Sequence, residues 1–177
     1  MKSLYLLRHA KAEADPAHGD FERRLAPRGE AAARAMGREL RRLGLAADHI
    51  LASPATRVVQ TLEGLADGYG GRMAVDYDQS LYLASPETLL GFVRAADESH
   101  ERLLIAGHNP GLEQLALLLG RGGPLRDEIA VKYPTGALAE ISLDVEGWGD
   151  VEEGAGALAR FIRPRDLDPA PGPELDS

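Results

Sequence analysis

The sequence contains no cysteine among its 177 residues. Disulfide bonds, thiolate catalysis and cysteine metal sites are therefore excluded, and a cytoplasmic location is expected. There is also no run of about 18 or more apolar residues, so we expect no transmembrane helix. The apolar run at residues 4–7 is too short for a secretory signal and ends at Arg8.

The sequence also has fewer basic than acidic residues. Its formal net charge is −8, and residues 144–177 hold nine acids against three arginines. This balance argues against nucleic acid as the main partner but leaves room for a local basic pocket. The length suits one domain with a substantial core, which we place at 1–164. Prolines and acids near the end predict a flexible Pro-rich acidic tail over 165–177.

Short apolar segments alternate with helical patterns along the chain. The predicted strands are 3–7, 49–53, 73–77 and 102–107, and the predicted helices are 27–43, 54–66, 85–98 and a segment around 112–119. This alternation predicts an α/β fold with three layers, α/β/α, around a mostly parallel central sheet. Segments 137–144 and 156–164 predict an antiparallel edge strand or hairpin near the C-terminus.

Polar residues follow three of the predicted strands where each one ends. Arg8 and His9 come after the first, SPATRVVQT (53–61) after the second and GHNPG (107–111) after the fourth. Ligands of open α/β sheets bind at the carboxyl ends of the strands. We therefore expect two histidines and two arginines to meet at one edge of the sheet.

Arg57 stands in an unusual position for a cation. Ser53 fits a helix N-cap and Pro54 the first helical position, so Arg57 falls in the first turn. That end of a helix is already positive, which indicates an anion nearby. A helix N-terminus with a guanidinium makes a good phosphate site. The alternative is an arginine that points into solvent.

His108 lies beside a second predicted helix start, with Asn109 as N-cap and Pro110 at the first helical position. Its alternative role is that of a hydrogen-bonded structural histidine. No role is assigned to the remaining histidines, which lie in or beside polar, loop-like stretches: His18, His49 and His100.

We expect neither a metal nor a cofactor. A catalytic zinc site usually needs a third protein ligand, no HExxH motif is present, and two arginines would repel a divalent cation. Around phosphate, by contrast, a neutral imidazole can accept a phosphoryl group that water later removes. Neighbouring guanidinium groups would keep that imidazole neutral and offset charge on the phosphoryl oxygens.

Three motifs together resemble the histidine phosphatase superfamily, also called phosphoglycerate mutase-like: RHA at 8–10, SPATRVVQT at 53–61 and GHNP at 107–110. They occur in the family's order, and the resemblance extends to about residue 164. It implies that His9 is the phosphoryl-accepting nucleophile and that Arg8, Arg57 and His108 form the phosphate pocket. It implies no cofactor.

The compact length and the opening RHAKAE resemble the SixA-type phosphohistidine phosphatases. That resemblance implies a phosphorylated protein or a small phosphorylated compound as partner, with no nucleic acid and no membrane. Ala10 departs from the superfamily's usual RHG, a variant that suits SixA-like members. No carboxylate clearly matches the family's general acid. Three acids are candidates by their position in loops or at element ends, although a role as surface acids is favoured for them: Asp20, Asp78 and Glu87.

A missing general acid favours a phosphoramidate substrate, because solvent protonates a leaving imidazole more easily than an alkoxide. Three alternatives stay open from the sequence. They are a phosphomonoesterase of the same superfamily, a mutase that needs a phosphorylated priming compound, and a non-catalytic phosphate-binding module.

Overall fold

The computed structural model describes residues 1–14 and 16–167. In chain order the α-helices and strands within these residues are β1 (Lys2–Arg8), α1 (Pro27–Leu43), β2 (His49–Ala52), α2 (Thr56–Tyr69), β3 (Asp76–Tyr77), α3 (Pro86–Arg94), β4 (Arg102–Gly107), α4 (Gly111–Leu119), α5 (Pro124–Val131), β5 (Leu138–Leu143) and β6 (Gly156–Ile162). Single turns of 3₁₀ helix occur at Pro16–His18, Gln79–Leu81, Trp148–Asp150 and Pro164–Asp166.

The strands form one sheet in the order β3-β2-β4-β1-β5-β6. Strands β1, β2, β3 and β4 are mutually parallel, whereas β5 runs antiparallel to both β1 and β6. The predicted α/β class, the mostly parallel sheet and the C-terminal hairpin are therefore confirmed.

Helices cover both faces of this sheet, so alternate residues of a central strand enter different cores. Leu4 and Leu6 of β1 pack with residues of α3, α4 and α5. Tyr5 and Leu7 pack with residues of α1 and α2 on the other face. This is the three-layer arrangement predicted, and burial on both faces explains why β1 reads as a nearly continuous apolar run.

Helices α1 and α2 lie unusually close together because glycines line their contact. A Cβ atom added at Gly37 would lie 2.1 Å from the Leu65 carbonyl oxygen, and one at Gly68 would lie 1.9 Å from that of Arg34. Neither position therefore accepts a larger side chain without a shift of backbone. This tight pairing fixes α2, whose first turn carries Arg57.

The predicted start of α2 at Pro54 is wrong by two residues. The Ser53 N–H bonds the Ala106 carbonyl at 3.1 Å, so the chain is still extended at Ser53. Ala55, with φ −56° and ψ 140°, then flanks the helix, which begins at Thr56. Arg57 nevertheless falls in the first turn.

Other boundaries differ in smaller ways. Helix α4 begins at Gly111 with Pro110 as the flanking residue, so the prediction of Asn109 as N-cap is wrong. The predicted start of α3 is confirmed, because Ser85 Oγ accepts from the Thr88 N–H at 3.2 Å. Strand β3 is shorter than the predicted 73–77, α3 ends before the predicted 98, and α5 was not predicted at all.

The end of the described chain is packed, not extended. Pro164–Asp166 form a single 3₁₀ turn, and Leu167 packs against the core beneath α1 and α2. The predicted domain boundary at residue 164 falls within this turn, and 168–177 of the predicted tail lie outside the described residues. In the part of the chain that is described, no helix is long and apolar enough to cross a membrane.

Candidate active site

The structure brings the four predicted site residues together at the carboxyl edge of the sheet. In the parallel pair of β1 and β4, Arg8 lies opposite Gly107, so His9 and His108 follow at equivalent positions. Their ring centroids are 5.5 Å apart. Arg57 Nη2 lies 3.2 Å from His108 Nδ1, which adds the first turn of α2 to the same place.

His9 is held with one ring nitrogen free. Its Nδ1 lies 2.7 Å from the Ala10 carbonyl oxygen, which can only accept a hydrogen bond. The neutral ring therefore carries its proton on Nδ1 and has its lone pair on Nε2. Burial, reinforced by Arg57, lowers the pKa of His9 to about 3. His9 is thus neutral at physiological pH and keeps the lone pair on Nε2.

His108 is fixed in the opposite tautomer. A guanidinium can only donate, so the contact from Arg57 Nη2 makes His108 Nδ1 an acceptor. The proton then lies on Nε2, which donates to Ser53 Oγ at 2.8 Å. Burial first, and then the Arg57 charge, lower the pKa of His108 to about 4.

Arg57 is almost fully buried, at 3% exposure, and its guanidinium contacts Asp20 as well as His108. Its Nη1 donates to the Asp20 carbonyl oxygen at 2.7 Å and its Nη2 donates to Asp20 Oδ2 at 3.0 Å. Arg57 Nε is buried and has no hydrogen-bond partner. The two terminal nitrogens are therefore held, and the Nε donor is left over.

Arg8 shows the same pattern on the other side of His9. Its Nη1 donates to the Tyr133 carbonyl oxygen at 2.8 Å, and its Nε is buried without a partner. Burial lowers the pKa of Arg8 from its ordinary value, because the charged guanidinium has lost part of its hydration. Two guanidinium groups, each with a buried and unused Nε donor, suit an oxyanion such as a phosphoryl group.

Two hydroxyl groups that support the site were missed from the sequence. Thr61 Oγ1 accepts from the Ala10 N–H at 2.9 Å and donates to the Arg57 carbonyl at 2.6 Å, which ties the β1 loop to α2. Ser53, predicted as a helix cap, instead orients His108. The Ala10 methyl packs in a small apolar cluster with Leu25 and Ala33.

The three carboxylates considered as general acids have different surroundings. Asp20 accepts hydrogen bonds from the Tyr82 hydroxyl and from Arg57, and these hold the pKa of Asp20 well below its usual range. Asp78 accepts from the Ser80 N–H at 2.8 Å and so caps a 3₁₀ turn. Glu87 is exposed in the first turn of α3. Asp20 alone contacts the site, and it is an ionised partner of Arg57.

Aromatic rings border the site, another feature that the sequence analysis missed. Tyr82 meets the His108 ring edge-on, with centroids 5.3 Å apart and an interplanar angle of 85°. Phe21 meets Tyr82 in the same way at 5.0 Å and 77°. The Arg57 guanidinium carbon lies 6.0 Å from the Tyr82 centroid.

A metal would need other ligands than those present here. Over residues 1–14 and 16–167, no group of three or more histidine or acidic side chains is arranged to hold a metal ion. The site itself consists of two imidazoles and two cations, and cations repel a metal ion while they attract an anion.

Comparison with known families and proteins agrees with this chemistry. Residues 4–84 match the model of the histidine phosphatase superfamily (branch 1). The uncharacterized protein Rv1276c of Mycobacterium tuberculosis is 36% identical over 163 residues, which cover 90% of this chain and 100% of that protein. An uncharacterized protein of Mycobacterium leprae is 34% identical over 167 residues, again 90% of this chain and 100% of that protein.

Solved structures show the same fold. A candidate phosphohistidine phosphatase SixA from Nakamurella multipartitia superposes with a TM-score of 0.78 at 28% identity, covering 92% of this chain and 96% of that one. A second candidate SixA, from Agrobacterium tumefaciens, gives a TM-score of 0.74 at 28% identity, covering 92% and 97%. The protein histidine phosphatase SixA in complex with tungstate gives 0.77 at 23% identity, covering 93% and 98%.

Proposed function

Because this chain belongs to the histidine phosphatase superfamily and is of its SixA type, we propose that it hydrolyses phosphohistidine through a phosphoryl group carried on His9. The observation that carries the proposal is the state of the His9 ring. Its Nδ1 proton is engaged by the Ala10 carbonyl, so the Nε2 lone pair is free beside the buried Arg57 and the half-buried Arg8. Roles for Arg8, Arg57 and His108 follow from that arrangement.

Substrate binding uses the donors that the protein leaves unpaired. Arg8 Nε and Arg57 Nε are buried without partners, and phosphoryl oxygens are suitable acceptors for both. A phosphoryl dianion would also offset the burial and the Arg57 charge that lower the pKa of His108. His108 then takes up a proton on Nδ1, which replaces the contact with Arg57 Nη2, and both of these nitrogens donate charge-assisted hydrogen bonds to the phosphoryl group.

Two displacements complete the reaction. In the first, the Nε2 lone pair of His9 attacks phosphorus, the P–N bond to the substrate imidazole breaks, and the leaving imidazole takes a proton from water. In the second, water attacks phosphorus, the P–Nε2 bond breaks, and its electron pair returns to His9. Inorganic phosphate leaves and the water proton passes to solvent. The arginines balance charge on the equatorial oxygens in both steps.

The surroundings of the carboxylates support a P–N bond as the one cleaved. Asp20 is held ionised by Tyr82 and Arg57, so at neutral pH it has no proton to give to a leaving group. An alkoxide needs such a proton, whereas a leaving imidazole is protonated readily by water. The partner we propose is therefore a phosphorylated protein, or a small compound with a comparable phosphoramidate bond.

We propose that the reaction needs no metal, because the two guanidinium groups already supply positive charge at the phosphoryl oxygens. Neither nucleic acid nor a membrane is a proposed partner. A cytoplasmic location stays a prediction from the absence of cysteine.

The test is phosphate release from a phosphohistidine protein and from an aryl phosphate, with and without a chelator. His9→Ala should lose at least about 10³-fold in kcat because the nucleophile is gone. The matched control is His49→Ala, a histidine at the other end of the sheet, which should keep wild-type activity.

Each competing reading gives its own result in that assay. Turnover that the chelator abolishes would contradict the metal-free mechanism, and equal activity of His9→Ala would remove His9 from its role. Phosphate affinity without any turnover would identify a binding module. Transfer of the phosphoryl group to a second substrate instead of water would identify a mutase.

A further inference from the structure

A row of three aromatic rings runs from the protein surface to the candidate phosphate pocket. Phe21 packs edge-on against Tyr82, and Tyr82 packs edge-on against His108. We name the first two the aromatic wall (Phe21 and Tyr82). Both are half-buried, so part of each side chain stays accessible to solvent.

The position of Tyr82 in this wall is held from several directions. Its hydroxyl donates to Asp20 Oδ2. The next residue, Leu83, has a φ of +51°, a strained value for a side chain of that size. A Cβ atom added at Gly111 would lie 2.0 Å from the Ala84 carbonyl oxygen, so the loop packs directly on the start of α4. The ring is therefore a preorganised surface.

Tyr82 adjoins two residues of the candidate phosphate pocket. Its ring centroid lies 5.3 Å from that of His108 and 6.0 Å from the guanidinium carbon of Arg57. A phosphoryl group held by these two residues is therefore close to the Tyr82 ring, and so is the group that departs from phosphorus. Aromatic pairs attract each other at centroid distances of about 4.5–7 Å, so an aromatic leaving group gains from contact with this ring.

From this geometry we infer that the aromatic wall binds the leaving group and selects an aromatic one. The inference rests on the proposed function, and it makes Tyr82 the residue that favours the imidazole ring of phosphohistidine over a phosphoramidate that has no ring. Contact with a single ring of this kind is worth about three- to tenfold in kcat/KM.

The experiment compares two substrates that share a P–N bond and differ in the ring: free phosphohistidine and inorganic phosphoramidate. The readout is the ratio of their kcat/KM values, measured on one preparation of each variant. This ratio does not depend on the folded fraction, so a variant that folds poorly still gives an interpretable result.

Tyr82→Leu should lower the ratio by about three- to tenfold because it removes the ring. Tyr82→Phe keeps the ring and loses the hydrogen bond to Asp20, so its ratio should stay within about twofold of wild type even where both rates fall. Tyr77→Leu makes the same substitution on an exposed tyrosine at the end of β3 and should leave the ratio unchanged.

A ratio in Tyr82→Leu equal to that of wild type would overturn the inference. A fall of the ratio in Tyr82→Phe as large as the fall in Tyr82→Leu would also overturn it. In both cases His9-dependent hydrolysis of the two substrates would persist, so the proposed function would stand. Loss of the proposed function would show differently, as hydrolysis that does not depend on His9.

Discussion

Two pairs of histidines lie at opposite edges of the parallel part of the sheet. His9 and His108 follow the carboxyl ends of β1 and β4, with ring centroids 5.5 Å apart. His49 begins β2 and His100 precedes β4 at the amino ends, with centroids 4.9 Å apart. By ring distance alone, the two pairs are equally good candidates for a site.

Their surroundings separate them. The first pair is buried beside Arg57, whose charge helps to keep both rings neutral. The second pair is half-buried, and His49 Nε2 bonds Asp76 Oδ2 at 2.7 Å. Cations around a neutral imidazole favour an incoming phosphoryl group, whereas a carboxylate repels one. The charges around a histidine pair therefore decide what it can bind.

Among changes to the surroundings of the two histidine pairs, removal of the Arg57 cation should have the largest effect. Arg57→Gln keeps a planar, polar side chain and loses the charge, so we expect kcat/KM for phosphohistidine to fall by about 10²- to 10³-fold. The pKa of His108 should rise, because Arg57 is the main cause of its lowering after burial. Phosphate release and an NMR titration of His108 check both expectations. A loss below about fivefold would show that Arg57 does not face the transferred group.

The next effect should come from the orientation of the His108 ring. Ser53→Ala removes the acceptor of the Nε2 proton, so only the contact from Arg57 Nη2 to Nδ1 still holds the ring. We expect about a tenfold loss of kcat, comparable to the removal of one neutral hydrogen bond. Nitrogen NMR shifts of His108 report the loss of the Nε2 hydrogen bond directly. If neither these shifts nor kcat change, Ser53 is only a packing residue.

As pH falls, the free energy of unfolding should decrease before His9 and His108 become protonated in the folded protein. The pKa values of His9 and His108 are about 3 and 4 in the folded protein, below the ordinary value of about 6.5. The unfolded chain therefore binds more protons, so the free energy of unfolding is highest above pH 6.5 and falls as pH drops toward these values.

At pH 5 both rings should still be neutral in an NMR titration. In urea unfolding, the free energy of unfolding should be lower at pH 5 than at pH 7, by at most about 2 kcal/mol for each of these histidines. Protonation of either ring between pH 7 and pH 5 in the folded protein would contradict the buried, neutral pair.

The smallest effect should come from the opposite end of the sheet. Asp76→Asn removes the charge that bonds His49 and preserves the shape of the side chain. Because this pair lies away from the pocket, kcat/KM should stay within about twofold of wild type, as for a surface polar substitution. A loss of tenfold or more would show that the two ends are coupled.

Much of the fold was predictable because the strand and helix patterns are regular. Helix α1 begins at Pro27 and is capped by Gly44 as expected, and the apolar segment at 102–107 is β4. Helix α5 was missed because Pro124–Val131 has only one buried residue, Ile129, and therefore shows no helical periodicity.

The site was only partly predictable, because its supporting contacts join loops that are far apart in sequence. The local sequence predicts Ser53 as a helix cap. In the structure its N–H bonds the Ala106 carbonyl of β4, so the chain is still extended at this residue. Its hydroxyl contacts His108 instead of the helix. The bond between Asp20 and Arg57 spans 37 positions and has no local signal. Tyr82 has no helical or strand pattern around it that would mark it as a neighbour of His108.

The most direct test of the double displacement is to find the phosphoryl group on the enzyme. Wild-type protein mixed with a phosphohistidine substrate, quenched in alkali and digested after lysine should give one acid-labile phosphopeptide, residues 3–11, which contains His9. Mass spectrometry should place the phosphoryl group on His9 and leave the peptide 12–132, which holds the other four histidines, unmodified. A phosphoryl group on any other histidine, or full turnover by His9→Ala, would contradict the account.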